Sequence, residues 1–258
     1  MSRLYIYCEG HTEKMFTEKL LQPFFGSRGI AANTILAGNG SSGRKGGIIN
    51  YTQVKRDLSR ICREHSHEYV TTMIDYSPVI SLPLEYDMSG TMYDVVRSKE
   101  AAIEKDIGAL NLMMNFELHE FEAYLYCNPD AFAGYGKAAP DKIRKIVSRA
   151  SCPEMINTEP NTLPSRRLDG VIPGYTHAKI FNTSKILEGI TLDQIISECR
   201  HFGYWLDRVS RTCGEPHSRS EHIVPRGHTV TAAWVSGNRC YSDAGSYSLS
   251  DVIRAIYN

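Results

Sequence analysis

Apolar residues come in two rhythms along this chain, short unbroken runs and longer helical stripes, and the two alternate through its first half. Leu4-Tyr5-Ile6-Tyr7-Cys8 shows no polar alternation, which is how a strand buried on both faces reads. Thr12 then caps a helix over 12–22, with Phe16 and Leu20 on one face and Pro23 as its expected stop. A second strand is expected from Ile30 to Ala37. Residues 52–65 form an amphipathic helix, with Val54, Leu58, Ile61 and Cys62 inward and Lys55, Arg56, Arg60 and Arg63 on a solvated face. The β-branched run Tyr69 to Ile74 is a third strand that leads into Asp75. A long loop from Tyr76 to Tyr93 precedes a helix at about 97–110, whose buried stripe is Ile103, Ile107 and Leu110. Leu112 to Leu118 is a fourth strand, ending in His119-Glu120-Phe121-Glu122. Strand and helix in alternation predict an α/β fold with a parallel sheet and right-handed crossovers.

The second half is mainly helical, over roughly 139–150, 177–188 and 191–210. His201, Phe202, Trp205 and Leu206 share a core-facing stripe in which His201 is a structural histidine. Asn157 to Tyr175 is irregular and carries Ser165-Arg166-Arg167. After Thr212 the composition turns to Gly214, Pro216, Ser218 and Ser220, a linker. Val230–Val235 and Arg239–Tyr241 then flank Gly237-Asn238 as a hairpin, and Ser248 begins a last helix. The expected organisation is one domain over 1–212 and a small appended ββα module over 213–258.

Composition narrows the partners. Lys+Arg and Asp+Glu balance at 29 each, so no global field draws the chain to nucleic acid or membrane, and any polyanion contact has to be local. The seven cysteines are scattered without a C-x-x-C pair, which argues for reduced thiols in a cytoplasmic compartment and against a zinc site or disulfide framework. No long apolar span or signal-peptide pattern stands out, so a soluble protein without a membrane partner is expected.

Candidate chemistry gathers at the strand ends. Glu9, Asp75 and Glu120 each follow a parallel strand, and in an open α/β sheet those carboxyl ends share one edge, where ligands bind. One such carboxylate is plainly explained as a partner of the next helix N-terminus. Three brought together repel one another and favour a hard cation, Mg2+ or Mn2+, with Glu122 and Glu13 nearby. Gly38 to Gly47 is glycine-rich and bears Arg44 and Lys45, but its spacing misses the P-loop pattern. It is either a connector or a basic loop that holds phosphate. Arg166 and Arg167 belong either to packing or to phosphate neutralisation. His119 is a candidate proton shuttle or a structural hydrogen-bonder.

Several blocks carry a resemblance: Glu9-Gly10-x-Thr12-Glu13, Gly43-Arg44-Lys45-Gly46-Gly47, Thr71-Thr72-Met73-Ile74-Asp75 and His119-Glu120-Phe121-Glu122-Ala123. Further along come Pro164-Ser165-Arg166-Arg167-Leu168, Pro173-Gly174-Tyr175 and His201-Phe202 with Trp205-Leu206. In this order they resemble the bacterial and phage-associated domain-of-unknown-function family numbered 4276, a Toprim-like family, over about residues 3–210. The resemblance implies a Toprim-like Rossmannoid parallel sheet flanked by helices, with a helical C-terminal half and the small ββα tail. It implies a metal-binding acidic centre with Glu9 in first position and Asp75 as first aspartate of an Asp-x-Asp. Ser77 stands where the second aspartate belongs, and Glu120 or Glu122 would supply the missing charge. Such proteins are often paired with an ABC- or AAA-type ATPase in phage defence, and self-association into a homo-oligomer stays open.

The expected function is a metal-dependent nuclease acting on DNA or RNA. Glu9, Asp75, Glu120 and Glu122 would hold Mg2+ or Mn2+, and Lys45, Arg44, Arg166 and Arg167 would neutralise phosphates. The rival is a non-catalytic sensor or scaffold subunit of an ATPase complex, which Ser77 and the neutral net charge favour. A third reading is a small-molecule phosphohydrolase or nucleotide-binding module.

Overall fold

A central parallel sheet organises the chain in this computed structural model, which describes residues 2–38, 50–76, 82–156 and 162–214, plus the backbone of three short strands at 234–236, 239–242 and 245–248. β1 (Ser2–Cys8) lies between β2 (Ile30–Leu36) and β3 (Tyr69–Asp75). β4 (Leu112–Met113) and β5 (Phe116–Glu117) both pair with the far side of β3, and every pairing in this sheet is parallel. The unbroken apolar run of β1 follows from cover on both faces. Leu4, Ile6 and Cys8 enter one core with Met73 and Met113, while Tyr7 enters the other with Val70, Ile74 and Phe116. α3 (Tyr51–Glu64) and α4 (Met92–Ile107) cover the Tyr7 face through Val54, Leu58, Ile61, Val96 and Ile103. The expected strands at 30–37 and 69–74 and the stripe of the helix at 52–65 are present as read.

On the other face lie α1 (His11–Phe16), a π-helical turn (Thr17–Leu21) and α2 (Gln22–Gly26). Pro23 does not stop this helix, as its sequence position suggested. The Gln22 N–H reaches back to Thr17 O, and the wider turn absorbs the ring that an unbroken α-helix would reject. Phe16 packs edge-on against Phe121 at 5.3 Å, and Tyr124 meets Phe202 at 4.9 Å, so rings from three separate segments interlock. Each such pair adds about 0.5–1.5 kcal/mol beyond its buried area.

α4 starts earlier than its periodicity indicated, because Thr91 and Asp94 form a capping box inside the stretch that looked like loop. It closes at Gly108, whose φ of 68° ends the helix, and this leaves Leu110 exposed instead of in the buried stripe. The fourth strand is also corrected. It is two pieces with a gap at Met114-Asn115, where Thr72 Oγ1 accepts Asn115 N–H at 2.8 Å and donates to Asn115 O at 2.6 Å. No residue is inserted: Val70 faces Leu112 before the gap and Asp75 faces Glu117 after it, at the same offset. The outward N–H groups of Met114 and Phe116 are taken by Glu104 (2.6 Å) and Glu100 (2.7 Å) of α4, so this edge offers fewer free donors to a stray strand.

The helical second half comprises α5 (Ala139–Val147), α6 (Pro164–Val171), α7 (Lys179–Leu187), α8 (Leu192–Glu198) and α9 (Arg200–Gly214). The single helix expected over 191–210 is thus two, broken at Cys199. Trp205 Nε1–H donates to Thr71 Oγ1 at 2.8 Å and pins α9 to β3, and His201 is buried against Glu100, the structural role expected of it. No helix among the described residues is long and apolar enough to cross a membrane. In the tail, β6 (Trp234–Ser236) and β7 (Arg239–Ser242) pair antiparallel, as expected of a hairpin. A third strand, β8 (Gly245–Ser248), stands where the last helix was expected to begin, and positions 249–258 lie outside the described residues.

Candidate metal centre

Acids meet where the sheet's carboxyl ends run out. The N–H of Glu9 donates to Met73 O at 3.0 Å, carrying the β1–β3 pairing one residue further, and its Oε2 accepts the Asp75 N–H at 3.2 Å. Gly10 follows, and a Cβ there would stand 2.9 Å from Glu13 Oε2. Its missing side chain lets Glu13, in the first turn of α1, fold back towards the sheet. Asp75 shares a sheet face with Thr71 and Met73 by the two-residue period of a strand. Its Oδ1 accepts the Phe121 N–H at 2.7 Å, which fixes the carboxylate. Glu117 stands opposite Asp75 in register, so both side chains leave the sheet on the same face.

One oxygen from each of Glu13, Asp75 and Glu117 lies within 4.8 Å of the other two. Glu117 is 0% exposed, and among the described residues neither of its oxygens has a hydrogen-bond partner; Glu13 Oε2 has none either. A buried carboxylate without donors is costly, and crowding three of them adds repulsion. The proton affinities follow. Burial, then Glu13 and Asp75, push the Glu117 carboxyl far up, and burial, then Glu9 and Glu13, do the same to Asp75. Glu13 is raised to about 7, first by burial and then by Glu122 and Glu9, against the pull of Lys179. A hard cation with oxygen ligands relieves all of these strains at once. The donors are carboxylate oxygens only, which suits Mg2+ or Mn2+ and not a thiolate-seeking metal.

Glu122 adds a fourth acid. It is fully buried on the 3-10 helix Phe121–Cys127, and its Oε1 meets Lys179 Nζ at 2.8 Å and the Tyr175 hydroxyl at 3.3 Å. Burial works against the Lys179 charge, but Glu122 and Asp75 outweigh it and hold the ammonium firmly protonated.

A family model described as a domain of unknown function, DUF4276, matches residues 8–210. The chain belongs to that family. No curated protein and no solved structure matches it. The DUF4276 match takes in Glu9, Glu13, Asp75, Glu117, Glu122 and Lys179, and leaves the three-stranded tail outside.

The residues singled out in the sequence fare differently within this DUF4276 framework. Asp75 is in the three-oxygen group, and Glu9 borders it through the Asp75 amide. Glu120 is placed elsewhere: its Oε2 and Oε1 accept the Ser165 N–H (2.8 Å) and hydroxyl (3.0 Å) and close the N-terminus of α6. Burial, then Glu122, raise its carboxyl, while the Ser165 bonds oppose them. The divergence comes from His119, whose φ of 67° turns the chain between Glu117 and Glu120. His119 itself is buried with Nδ1 unpartnered among the described residues, and burial lowers its imidazole to about 4. Arg166 is exposed on α6, and Arg167 donates from Nε to Thr162 O at 2.7 Å. Arg44, Lys45 and Ser77 lie outside the described residues.

Glu117 and Lys179 escaped the sequence reading. A signal for Glu117 was there, a lone charge between Phe116 and Leu118 in an apolar strand. Lys179 gave none, since nothing in its local pattern ties it to the sheet.

Proposed function

We propose that this chain is a metal-dependent phosphodiester hydrolase, a nuclease with Mg2+ or Mn2+ held by Glu13, Asp75 and Glu117. The observation that carries the reading is the pair of unpartnered, fully buried oxygens on Glu117, set within reach of two further carboxylates. Folding an acid into such a place is costly unless a ligand completes it. When bound, a divalent ion at this all-oxygen centre would lower the pKa of a bound water and stabilise a departing phosphate oxygen. The chain's own part is to hold the acids rigid. Asp75 is fixed by the Phe121 amide, Glu13 by the room that Gly10 leaves, and Glu117 by its register against β3.

Nucleic acid is the proposed substrate because of exposed Arg166 on α6, the helix tied by Glu120 to the chain between Glu117 and Glu122. In Toprim-like terms the acidic centre draws its third carboxylate from Glu117, whatever the contribution of position 77. Work beside an ATPase belongs to the same proposal.

The test is cleavage of labelled single-stranded DNA, duplex DNA and RNA with and without Mn2+, for wild type and Glu117→Gln. The expected result is Mn2+-dependent cleavage by wild type alone. A wild type that neither binds Mn2+ nor cleaves would return the chain to the scaffold reading.

A further inference from the structure

The buried acids divide into two kinds by what already touches them. Glu13, Asp75 and Glu117 offer a cluster of oxygens with no ion pair to an ammonium or guanidinium among the described residues. Glu122 is different, because a cation is built onto it: Lys179 Nζ sits 2.8 Å from Oε1. We propose that Lys179 occupies the second cation position of the acidic centre, so that the site takes one divalent ion and not two. This inference rests on the metal-centre reading above and specifies its stoichiometry.

The support is geometric. Tyr175 and Lys179 are four residues apart, at the two ends of a short 3-10 turn that leads into α7, and both deliver a proton donor to the same Glu122 oxygen. Tyr175 is itself held by Thr183 of α7 at 2.7 Å, so this donor pair is braced from behind. The other oxygen, Oε2, has no partner among the described residues, which leaves Glu122 held on one side and bare on the other.

Two-ion centres place their cations about 3.5–4 Å apart and share carboxylates between them. In this centre the remaining fully buried carboxylate is already bonded to an ammonium, and Glu9 Oε2 receives the Asp75 amide. A second divalent ion drawing on Glu122 would have to bind its bare Oε2 against the repulsion of a like charge held on Oε1 and covalently tethered to α7. Lys179 is therefore a positioning residue. It holds Glu122 and supplies a permanent charge that no chelator removes.

The experiment counts bound ions. Mn2+ is titrated into the full chain by calorimetry, and the electron paramagnetic resonance spectrum is recorded on the saturated sample. Wild type is expected to bind one ion per chain, with no coupling between manganese centres. Lys179→Met, which keeps the aliphatic stem and removes the charge, is expected to bind two and to show a coupled spectrum. Lys179→Arg, which keeps the charge, is expected to stay at one. Two coupled ions in wild type would overturn this inference and leave the metal centre standing. One ion of unchanged affinity in a folded Lys179→Met would overturn it as well. No Mn2+ bound by wild type would overturn both readings together. Should Lys179→Met fail to fold, two coupled ions in wild type or in Lys179→Arg would still overturn the inference.

Discussion

Phe116 and Glu117 are neighbours on one short strand, yet they look onto two very different collections of buried acid. The amide of Phe116 is met by Glu100 Oε1, which also takes His201 Nε2 at 2.9 Å. Nearby, Glu154 accepts the N–H groups of His201 (3.0 Å) and Phe202 (2.9 Å) together with the Tyr93 hydroxyl (3.3 Å). Glu104 takes Met114 N–H and the Arg208 guanidinium. Every one of these acids ends on donors, and together they fasten α4 and α9 to the edge of the sheet. One residue along, the Glu117 carboxylate meets no donor among the described residues. Burial of an acid therefore says little by itself. Unmet hydrogen-bonding capacity is what separates a site from a strut.

The widest gap between the two collections is expected in chemistry. Asp75→Asn should lower Mn2+-dependent cleavage by about 100- to 1,000-fold while the circular dichroism spectrum stays native. A conservative change at Glu154 should leave cleavage within a few-fold of wild type. Stability should invert that ranking. Glu154→Ala strands two backbone amides and a hydroxyl in the core and should cost about 3 kcal/mol in urea unfolding. Glu117→Gln in the metal-free protein removes a buried, unpaired acid and should be neutral or stabilising by about 1 kcal/mol. If both variants destabilise alike, the contrast between site and strut is lost.

The smallest effect is one of pH. The Glu13 carboxyl is raised to about 7 in the folded chain, well above its unfolded value. Between the unfolded value and 7 the folded state holds the extra proton, so the Glu13 contribution to metal-free stability should fall as pH rises through that window and level off above it. Asp75 and Glu117, raised further, extend the loss to higher pH. Mn2+ binding should tighten over the same window with release of protons, seen as a buffer-dependent heat in calorimetry. Glu13→Gln should flatten both trends.

The same contrast explains what could be read from the chain beforehand. The strands at Leu4–Cys8 and Tyr69–Asp75 and the helix stripe from Val54 to Cys62 were legible, because a two-sided sheet and a one-sided helix impose plain periods on apolar residues. Glu9 and Asp75 were legible as candidates because strand ends follow from those periods. Glu117 and Glu120 could not be ranked, since which of them turned inward depended on the left-handed backbone of His119. Thr91-x-x-Asp94 is a capping signal in the sequence, masked by a preceding stretch whose Pro78, Pro83 and Gly90 read as loop. The tolerance of Pro23 was hidden, because a π turn leaves no period of its own. Lys179 was beyond reach for a simpler reason: its partner Glu122 is distant in sequence, and only the packed fold makes them neighbours.

That distance has a consequence for how the protein is made. Glu13, Asp75 and Glu117 come from the first half of the polypeptide, while the ammonium that counters Glu122 sits on α7. During synthesis, a ribosome-bound nascent chain would carry its acids well before that lysine emerges from the exit tunnel. Until then Glu122 has no tethered counter-charge, and the centre is complete only once α7 has docked.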